Sequence, residues 1–196
     1  IGGSLCIPID LTSAAVVCAH KTLHRLNCVS DIAIQADARF LPIKSTSLDY
    51  YYSSGALHHS PNIKKSIEEV YRVLKPGGVA YVALYSDEGV NFIMLKLKAF
   101  LNGNFSKEEV AKYVSENTEG DWITDHDNKN PKTDLFSKLN CERMFDQFSS
   151  VNVRKNGTKW SQFPKIGKFI EKVRPKYFPP GFAGFGLGGN FITAIK

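Results

Sequence analysis

The strongest structural signal in the chain lies at residues 60–85, which read SPNIKKSIEEVYRVLKPGGVAYVALY. Ser60 is the predicted N-cap of a helix, and Pro61 occupies its first position, where the absent backbone N–H needs no partner. The buried face of this helix repeats at helical spacing and consists of Ile63, Ile67, Val70 and Leu74. Residues 75–78, Lys-Pro-Gly-Gly, are predicted to form a turn that ends the helix. Residues 79–85 are continuously apolar, as in a strand that is covered on both faces of a parallel sheet.

The alternation of strands and helices continues on both sides of this segment. The other strands that the pattern predicts are at residues 5–11, 32–36, 48–53, 151–154 and 190–195. Thr12 and Ser137 are candidate N-caps of two further helices, and apolar periodicity predicts another helix over residues 90–101. Such alternation predicts an α/β fold with a doubly wound, mostly parallel sheet, in a single domain over residues 1–196.

Composition is that of an ordinary soluble globular domain, with 43% apolar and 22% charged residues. The longest apolar runs are far too short to form a transmembrane segment. The four cysteines, Cys6, Cys18, Cys28 and Cys141, form no C-x-x-C pair. This pattern predicts reduced, mostly buried thiols in a cytoplasmic protein, and argues against a disulfide framework or a zinc site.

Positive charge is concentrated late in the chain. The formal net charge is +6, and residues 154–176 contain eight Lys or Arg but only one acid, Glu171. This segment fits an anionic substrate, nucleic acid or a membrane surface, and equally a solvated face. Trp160 and Phe163 lie among the charges, as stacking aromatics do in nucleic-acid binders. Helical spacing of apolar residues in the same segment instead favours a core or a substrate lid; these residues are Ile166, Phe169, Ile170 and Val173.

Two acidic residues follow successive predicted strands. Asp10 closes the first strand and Asp37 follows the second. Ligands of doubly wound sheets bind at the carboxyl ends of the strands, where a carboxylate can accept hydrogen bonds from a ribose diol or an exocyclic adenine amine. Each acid taken alone is equally typical of a cap or a turn. Their joint placement is what indicates a nucleoside site.

Five motifs occur in order along the first half of the chain. They are Ile9-Asp10-Leu11-Thr12, Ala36-Asp37-Ala38 with Leu41-Pro42, Ser47-Leu48-Asp49, SGALHHSPN at residues 54–62 and EVYRVLKPGG at residues 69–78. In this order and spacing they resemble the type 11 family of class I S-adenosylmethionine-dependent methyltransferases. The resemblance covers residues 5–85, and a weaker one continues from residue 130 to the final strand. It implies a Rossmann-like sheet with an antiparallel last strand, methyltransferase activity and S-adenosylmethionine as cofactor.

The resemblance implies roles for residues at the adenosine end of this cofactor. Asp10 would bind the ribose hydroxyls, with Leu11 flanking the adenine. Asp37 and Ala38 would hold the adenine amine and the edge of its ring.

The resemblance also implies roles at the reactive end. Ser54 and Gly55 would lie beside the methionine part, and His59 would border the place where the methyl group is delivered. His59 is thus the candidate catalytic residue, although an imidazole can equally tie a loop to nearby backbone. The expected acceptor is a small or lipid-like molecule, contacted from residues 88–188 by side chains such as Trp122, Trp160 and Phe163.

The resemblance has one gap at its start. The family opens with a first strand and a Gly-rich loop, whereas residues 1–4, Ile-Gly-Gly-Ser, align with the turn before the second strand. The resemblance therefore implies a sheet that lacks its first strand, in a fragment of a product longer by roughly one βα unit of about 30 residues. Residues 184–189, Gly-Phe-Gly-Leu-Gly-Gly, look like such a loop, but only a terminal strand follows, so a turn or lid is predicted.

Two other functions stay open on this sequence: an RNA-directed methyltransferase or nucleic-acid binder, and an inactive methyltransferase-like fragment. Residues 125–127, Asp-His-Asp, lie in a polar loop without a partner cluster, so no metal site is expected. Within the single domain, we expect a cofactor-binding core over residues 1–86, an acceptor-side part over 87–188 and a terminal strand over 189–196.

Overall fold

The computed structural model describes residues 5–28, 32–87, 90–103, 106, 108–110, 112–113, 133–155 and 189–196. Several predicted features lie outside these residues: Trp122, Trp160, Phe163, the Asp-His-Asp sequence, residues 184–188 and most of the basic segment. Within the described ranges, every helix falls short of the length and apolar character needed to cross a bilayer.

The described elements alternate as the sequence predicts. The strands are β1 Ile9–Asp10, β2 Ile34–Gln35, β3 Leu48–Ser54, β4 Leu74–Tyr85, β5 Ser150–Lys155 and β6 Gly189–Ile195. The helices are α1 Ser13–Arg25, α2 Ile63–Val73, α3 Val90–Leu101 and α4 Lys138–Met144, and a 3-10 turn spans Leu57–His59. Thr12 and Ser137 cap α1 and α4 as predicted, because each side chain accepts a backbone N–H three residues ahead.

The strands form two sheets. β1 pairs with β2 in parallel, and the larger sheet has the order β3-β4-β6-β5. In that larger sheet β3, β4 and β5 run in one direction, and only β6 is antiparallel to its neighbours. The predicted α/β architecture with a mostly parallel sheet and an antiparallel last strand is thus confirmed. Among the described residues, no hydrogen-bonded strand pair joins β1 to β3.

The core lies on one face of the larger sheet. Side chains of β4 and β6 that point to this face, Ala80, Val82, Leu84, Ile192 and Ala194, are fully or almost fully buried. They form one cluster with side chains of α2 and of the α4 region, among them Ile67, Val70, Cys141 and Phe145. Alternate side chains of β3, β4 and β6, such as Tyr50, Tyr52, Tyr81 and Phe191, are exposed. Burial of one face follows directly from the two-residue period of a strand.

The start of α2 differs from the prediction. Asn62, not Ser60, is the N-cap, and its side-chain oxygen accepts the backbone N–H of Lys65 at 3.1 Å. The Ser60 hydroxyl instead lies 2.9 Å from the hydroxyl of Ser66, one turn into the helix. The helix therefore begins at Ile63, beyond Pro61.

The end of α2 is also more abrupt than predicted. Leu74 already belongs to β4, and residues 75–78 form a bulge inside that strand and not a separate turn before it. The register shows this, because Leu48 of β3 pairs with Leu74 whereas Tyr50 pairs with Val79. Three extra residues of β4 are accommodated between these two pairs, and Gly77 adopts a positive φ there.

The prediction of mostly buried cysteines is wrong. Only Cys141 is buried, whereas Cys6, Cys18 and Cys28 are exposed. These three lie in or beside β1 and α1, and Leu23 is the single side chain of α1 that is buried. The apolar stripe of this helix has little to pack against within the described residues, so its thiols face outward.

Candidate cofactor and acceptor site

The predicted adenosine residues follow the carboxyl ends of the two strands of the smaller sheet. Asp10 is in register with Gln35, and the Ala36 N–H donates to the Asp10 carbonyl at 2.9 Å. Asp37 therefore follows β2 at the same edge as Asp10, as the two strand ends predicted. The Gln35 side-chain amide donates to the Leu11 carbonyl at 3.0 Å, which fixes the turn after Asp10 and leaves the Leu11 side chain 65% exposed.

The Asp10 carboxylate is exposed and engaged through one oxygen. Its Oδ1 accepts both the backbone N–H and the hydroxyl of Thr12, each at 2.8 Å. Asp10 thus orders the turn that leads into α1, which is the cap-like role considered from the sequence. A cavity of about 130 Å³ between β1 and α1 adjoins Asp10 but not Asp37. It is smaller than the roughly 300 Å³ at which ligand pockets usually begin.

The Asp37 carboxylate is held by Arg39. The Arg39 guanidinium donates to both carboxylate oxygens at 2.6–3.0 Å, and its own backbone N–H donates to Oδ1 at 2.8 Å. These hydrogen bonds, with the positive charge of Arg39, outweigh the opposing effect of burial and lower the pKa of Asp37 below its ordinary value of 3.8. Ala38 between them packs against the main core cluster. Sequence reasoning missed Arg39, although its position two residues after Asp37 was a usable signal.

A second group of predicted residues lies at the edge of the larger sheet. Ser54 is the last residue of β3 and pairs with Ala83 of β4. Gly55 follows with a φ of +78° and open space where a Cβ would be. This left-handed residue, which favours glycine, turns the chain into the 3-10 segment of His58 and His59. The His59 N–H closes that turn on the Ala56 carbonyl at 3.0 Å.

His58 and His59 differ sharply in environment. His58 is fully buried and stacks on Tyr85 at the end of β4, with ring centroids 3.8 Å apart. Burial first, and then the neighbouring His59, lower the pKa of His58 to about 3, so its ring is neutral near neutral pH. His59 is half-buried, meets the His58 ring edge-on at 4.1 Å, and has Nδ1 3.3 Å from the hydroxyl of Thr133.

The segment that carries Thr133 crosses the end of β4. The Asp134 N–H donates to the His58 carbonyl at 2.9 Å, and the Phe136 N–H donates to the Tyr85 carbonyl at 3.0 Å. The buried Asn190 side chain of β6 donates to the Phe136 carbonyl at 2.7 Å. Sequence reasoning assigned no site role to Thr133, Tyr85 or Asn190, because the contacts of Thr133 and Tyr85 with His59, and of Asn190 with Phe136, depend on the order of the strands.

The structure therefore brings the predicted residues together as two groups. Asp10, Leu11, Asp37 and Ala38 lie at the edge of the smaller sheet, and Ser54, Gly55 and His59 at the edge of the larger one. In the part of the chain that is described, no cluster of three or more His, Cys, Asp or Glu side chains could hold a metal ion.

Residues 2–82, which include both groups, match a family model described as a methyltransferase domain. Over these residues the chain resembles that family. Sequence relatives of the chain include a sterol 24-C-methyltransferase from Schizosaccharomyces pombe, which is 27% identical over 161 residues, 72% of this chain and 42% of that protein. A ubiquinone/menaquinone biosynthesis C-methyltransferase from Rickettsia bellii is 27% identical over 60% of this chain and 47% of its own length. The chain thus spans less than half the length of these two relatives.

Solved structures of methyltransferases have the same fold as this chain. A methyltransferase from Thermotoga maritima superposes with a TM-score of 0.59 at 16% identity, over 98% of this chain and 73% of that chain. Phosphoethanolamine N-methyltransferase 2 from Haemonchus contortus, solved with S-adenosyl-L-methionine, gives 0.60 at 18% identity, over 97% of this chain and 43% of its own. At such low identity the likeness concerns the fold alone, and it confirms the class I architecture expected from the motifs.

Proposed function

We propose that the protein transfers a methyl group from S-adenosylmethionine to a small-molecule or lipid-like acceptor. The observation that carries this proposal is the methyltransferase-domain match over residues 2–82, the part in which Asp10 and Asp37 share one sheet edge. Relatives of this chain are named for a sterol, for ubiquinone/menaquinone biosynthesis and for phosphoethanolamine. These names support an acceptor of the same general kind.

The chemistry of the first group of residues fits the adenosine part of this cofactor. Asp10 and Asp37 offer carboxylate oxygens, which are acceptors for the ribose hydroxyls and the adenine amine. Exposed Leu11 and half-buried Ala38 offer apolar surface beside the ring. In this proposal Asp10 binds the ribose, Leu11 flanks the adenine, and Asp37 with Ala38 holds the amine and ring edge.

The second group fits the reactive end. Ser54 and Gly55 would lie beside the methionine part, where the open space over Gly55 admits a ligand close to the backbone. The cofactor supplies an activated methyl group with its own leaving group. The protein then needs mainly to orient the acceptor and exclude water. We assign His59 to the border of the acceptor site, and residues 87–188 to the acceptor side of a single domain.

Calorimetric titration of the full-length protein with S-adenosylmethionine tests the proposed function. Asp10→Ala should weaken binding by about 1–3 kcal/mol, the loss expected when charge-assisted hydrogen bonds are removed. Because Asp10 also orders the turn at Thr12, Asp10→Asn should be compared, since it retains one acceptor oxygen for that turn. Asp49→Ala is the matched control, as Asp49 is an exposed acid of β3 that pairs with Lys75.

Two results would contradict the proposal in different ways. If the wild-type protein gives no binding heat, the cofactor assignment is wrong. If it binds with a dissociation constant that Asp10→Ala leaves unchanged, only the ribose role is wrong.

A further inference from the structure

The contact between Thr133 and His59 joins two distant parts of the chain at the carboxyl end of β4. The Thr133 hydroxyl lies 3.3 Å from His59 Nδ1, across 74 positions of sequence. Thr133 is only 9% exposed, so this polar contact is shielded from water. A threonine hydroxyl offers one donor and two acceptor positions, and a neutral imidazole has one nitrogen of each kind. The contact therefore couples the position of the His59 proton to the orientation of the Thr133 hydroxyl.

Both sides of this contact are fixed by backbone hydrogen bonds. On one side, the His59 N–H and the Ser60 N–H close the 3-10 turn at 3.0 Å. On the other, the residue after Thr133 donates to the His58 carbonyl at 2.9 Å, and Phe136 exchanges backbone hydrogen bonds with Tyr85 and Asp87 at 3.0 and 3.2 Å. Thr133 is thus held at a set distance from the imidazole by the strand end itself.

Two aromatic rings among the described residues form a wall beside His59. The buried His58 ring packs edge-on against His59, and the Tyr85 ring meets His59 at right angles with centroids 6.1 Å apart. Because His58 stays neutral, it adds no positive charge beside His59. The wall limits how the His59 ring can turn, while Thr133 fixes its Nδ1 edge.

We propose that Thr133 is a positioning residue that sets the orientation and tautomer of His59 at the acceptor site. This proposal rests on the proposed function, which places His59 beside the acceptor. In the proposed tautomer, His59 Nδ1–H donates to the Thr133 hydroxyl oxygen, and Nε2, a buried atom, carries no proton.

Nitrogen-15 NMR of the histidine-labelled protein tests this without any acceptor. The two ring nitrogens report directly which one is protonated, and His59→Gln identifies the His59 signals. In the wild type, we expect Nδ1 to be protonated and Nε2 to be unprotonated. Thr133→Val should shift both signals toward the average of the two tautomers, whereas Thr133→Ser should retain the wild-type pattern because it keeps the hydroxyl. Thr193→Val, the same substitution in the middle of β6 opposite Tyr81, should leave the His59 signals unchanged.

The outcomes separate this proposal from the proposed function. A wild-type His59 with its proton on Nε2, or a Thr133→Val protein with unchanged His59 signals, overturns the role of Thr133. The wild-type measurement decides the question even if Thr133→Val fails to fold. Binding of S-adenosylmethionine, measured by calorimetry on the same samples, should be equal in the wild type and in Thr133→Ser. Its absence from the wild type would instead count against the proposed function.

Discussion

The carboxylate of Asp37, which the sequence analysis assigned to the adenine amine, is hydrogen-bonded to Arg39 in this structure. Its guanidinium contacts both oxygens of Asp37, so an adenine amine must share or displace one of these hydrogen bonds. The side chains are about one third exposed, 31% for Arg39 and 27% for Asp37, which leaves the pair accessible to a ligand. Both carboxylate oxygens of Asp37 thus already accept hydrogen bonds, whereas only Oδ1 of Asp10 does.

Arg39→Met should raise the pKa of Asp37 toward its ordinary value of 3.8, because the largest cause of its lowering is the hydrogen bonding to Arg39. Carbon-13 NMR titration of the Asp37 carboxyl group measures this directly. Arg143→Met, which removes a guanidinium from α4, is the control and should leave the Asp37 pKa unchanged. An Asp37 pKa that stays low in Arg39→Met would show that another group holds the carboxylate.

Individual site residues were predictable where the signal was local. Thr12 as a cap and Asp10 at a strand end follow from adjacent residues, and both were predicted. The neutral, buried state of His58 and the contact of His59 with Thr133 were not, because they depend on where β4 and residue 133 meet in space. Asp37 was predicted only in part: the acid itself was identified, but its hydrogen-bond partner Arg39, two residues later, was overlooked.

The bulge in β4 depends on a close approach at Gly78. A Cβ at this position would lie 2.8 Å from the Lys75 carbonyl oxygen and 3.1 Å from that of Leu48. Both atoms belong to the backbone, so relief requires β4 to move against β3. We expect Gly78→Ala to lower the free energy of unfolding by about 2 kcal/mol, as overpacking of a fixed site does. Urea unfolding followed by circular dichroism measures this change.

Gly189→Ala is a matched control for this prediction. Its Cβ would also be crowded, at 3.0 Å, but the neighbour is the ring of Phe191, which is 45% exposed and can rotate away. The expected change is below about 0.5 kcal/mol. Equal losses in the two variants would mean that crowding of the backbone is not what makes Gly78 necessary.

Helix α2 holds the connection from β2 to β3 through one ion pair. The Glu69 carboxylate accepts the Arg72 guanidinium at 2.7 and 2.8 Å and the Leu41 N–H at 2.8 Å. Arg72 in turn donates to the carbonyls of Leu41 and Ile43. Glu69 is only 7% exposed, so its removal leaves buried donors without an acceptor.

Glu69→Gln should therefore lower the free energy of unfolding by about 2 kcal/mol near neutral pH. Hydrogen bonding from Arg72 is the main cause that lowers the pKa of Glu69 in the folded protein below its ordinary value of 4.5. Its stabilising effect is thus fully present above that ordinary value and is lost as the pH falls through the lowered one. The difference between wild type and variant should accordingly shrink on acidification, as measured by urea unfolding from about pH 7 to about pH 4.

Glu68→Gln on the same helix provides the comparison. Glu68 pairs with Lys65 at 3.8 Å with both side chains more than 40% exposed, so its loss should cost less than about 1 kcal/mol. A Glu69→Gln protein as stable as Glu68→Gln would show that the connection to β3 does not depend on this ion pair.

Elements were predictable in their interiors and less so at their ends. The helical face of α2 and the apolar runs of β3 and β4 were identified, because burial imposes a period that the sequence displays. The true cap at Asn62 and the bulge at residues 75–78 were missed, since Ser60 and Asn62 are both good caps and Lys-Pro-Gly-Gly suggests a turn. Predicted strand 5–11 shortens to Ile9–Asp10, the part that pairs with β2.

The two sheets differ in the length of their strand pairing and in the burial of their side chains. In the larger sheet, β4 and β6 pair over seven consecutive positions, and their inner side chains are almost completely buried. The N-terminal unit, composed of β1, α1 and β2, pairs over two positions and exposes Leu11, Val17, Leu26 and Ile32. Regions with few buried apolar contacts open locally at low free energy. The proposed adenosine residues thus belong to the less protected part of the structure.

Hydrogen exchange should reveal this difference and its dependence on ligand. Backbone amides of β4 and β6 should exchange slowly, and those of α1 and β2 much faster, as mass spectrometry of short peptides can measure.

A ligand that binds only the closed form, at a hundred times its dissociation constant, slows exchange through that opening about a hundredfold, which corresponds to about 2.7 kcal/mol. S-adenosylmethionine should therefore protect residues 13–25 and 34–36 selectively. Asp10→Ala should reduce that added protection at the same ligand concentration, because the variant binds the ligand more weakly. Ligand protection confined to the larger sheet would instead place the adenosine away from Asp10.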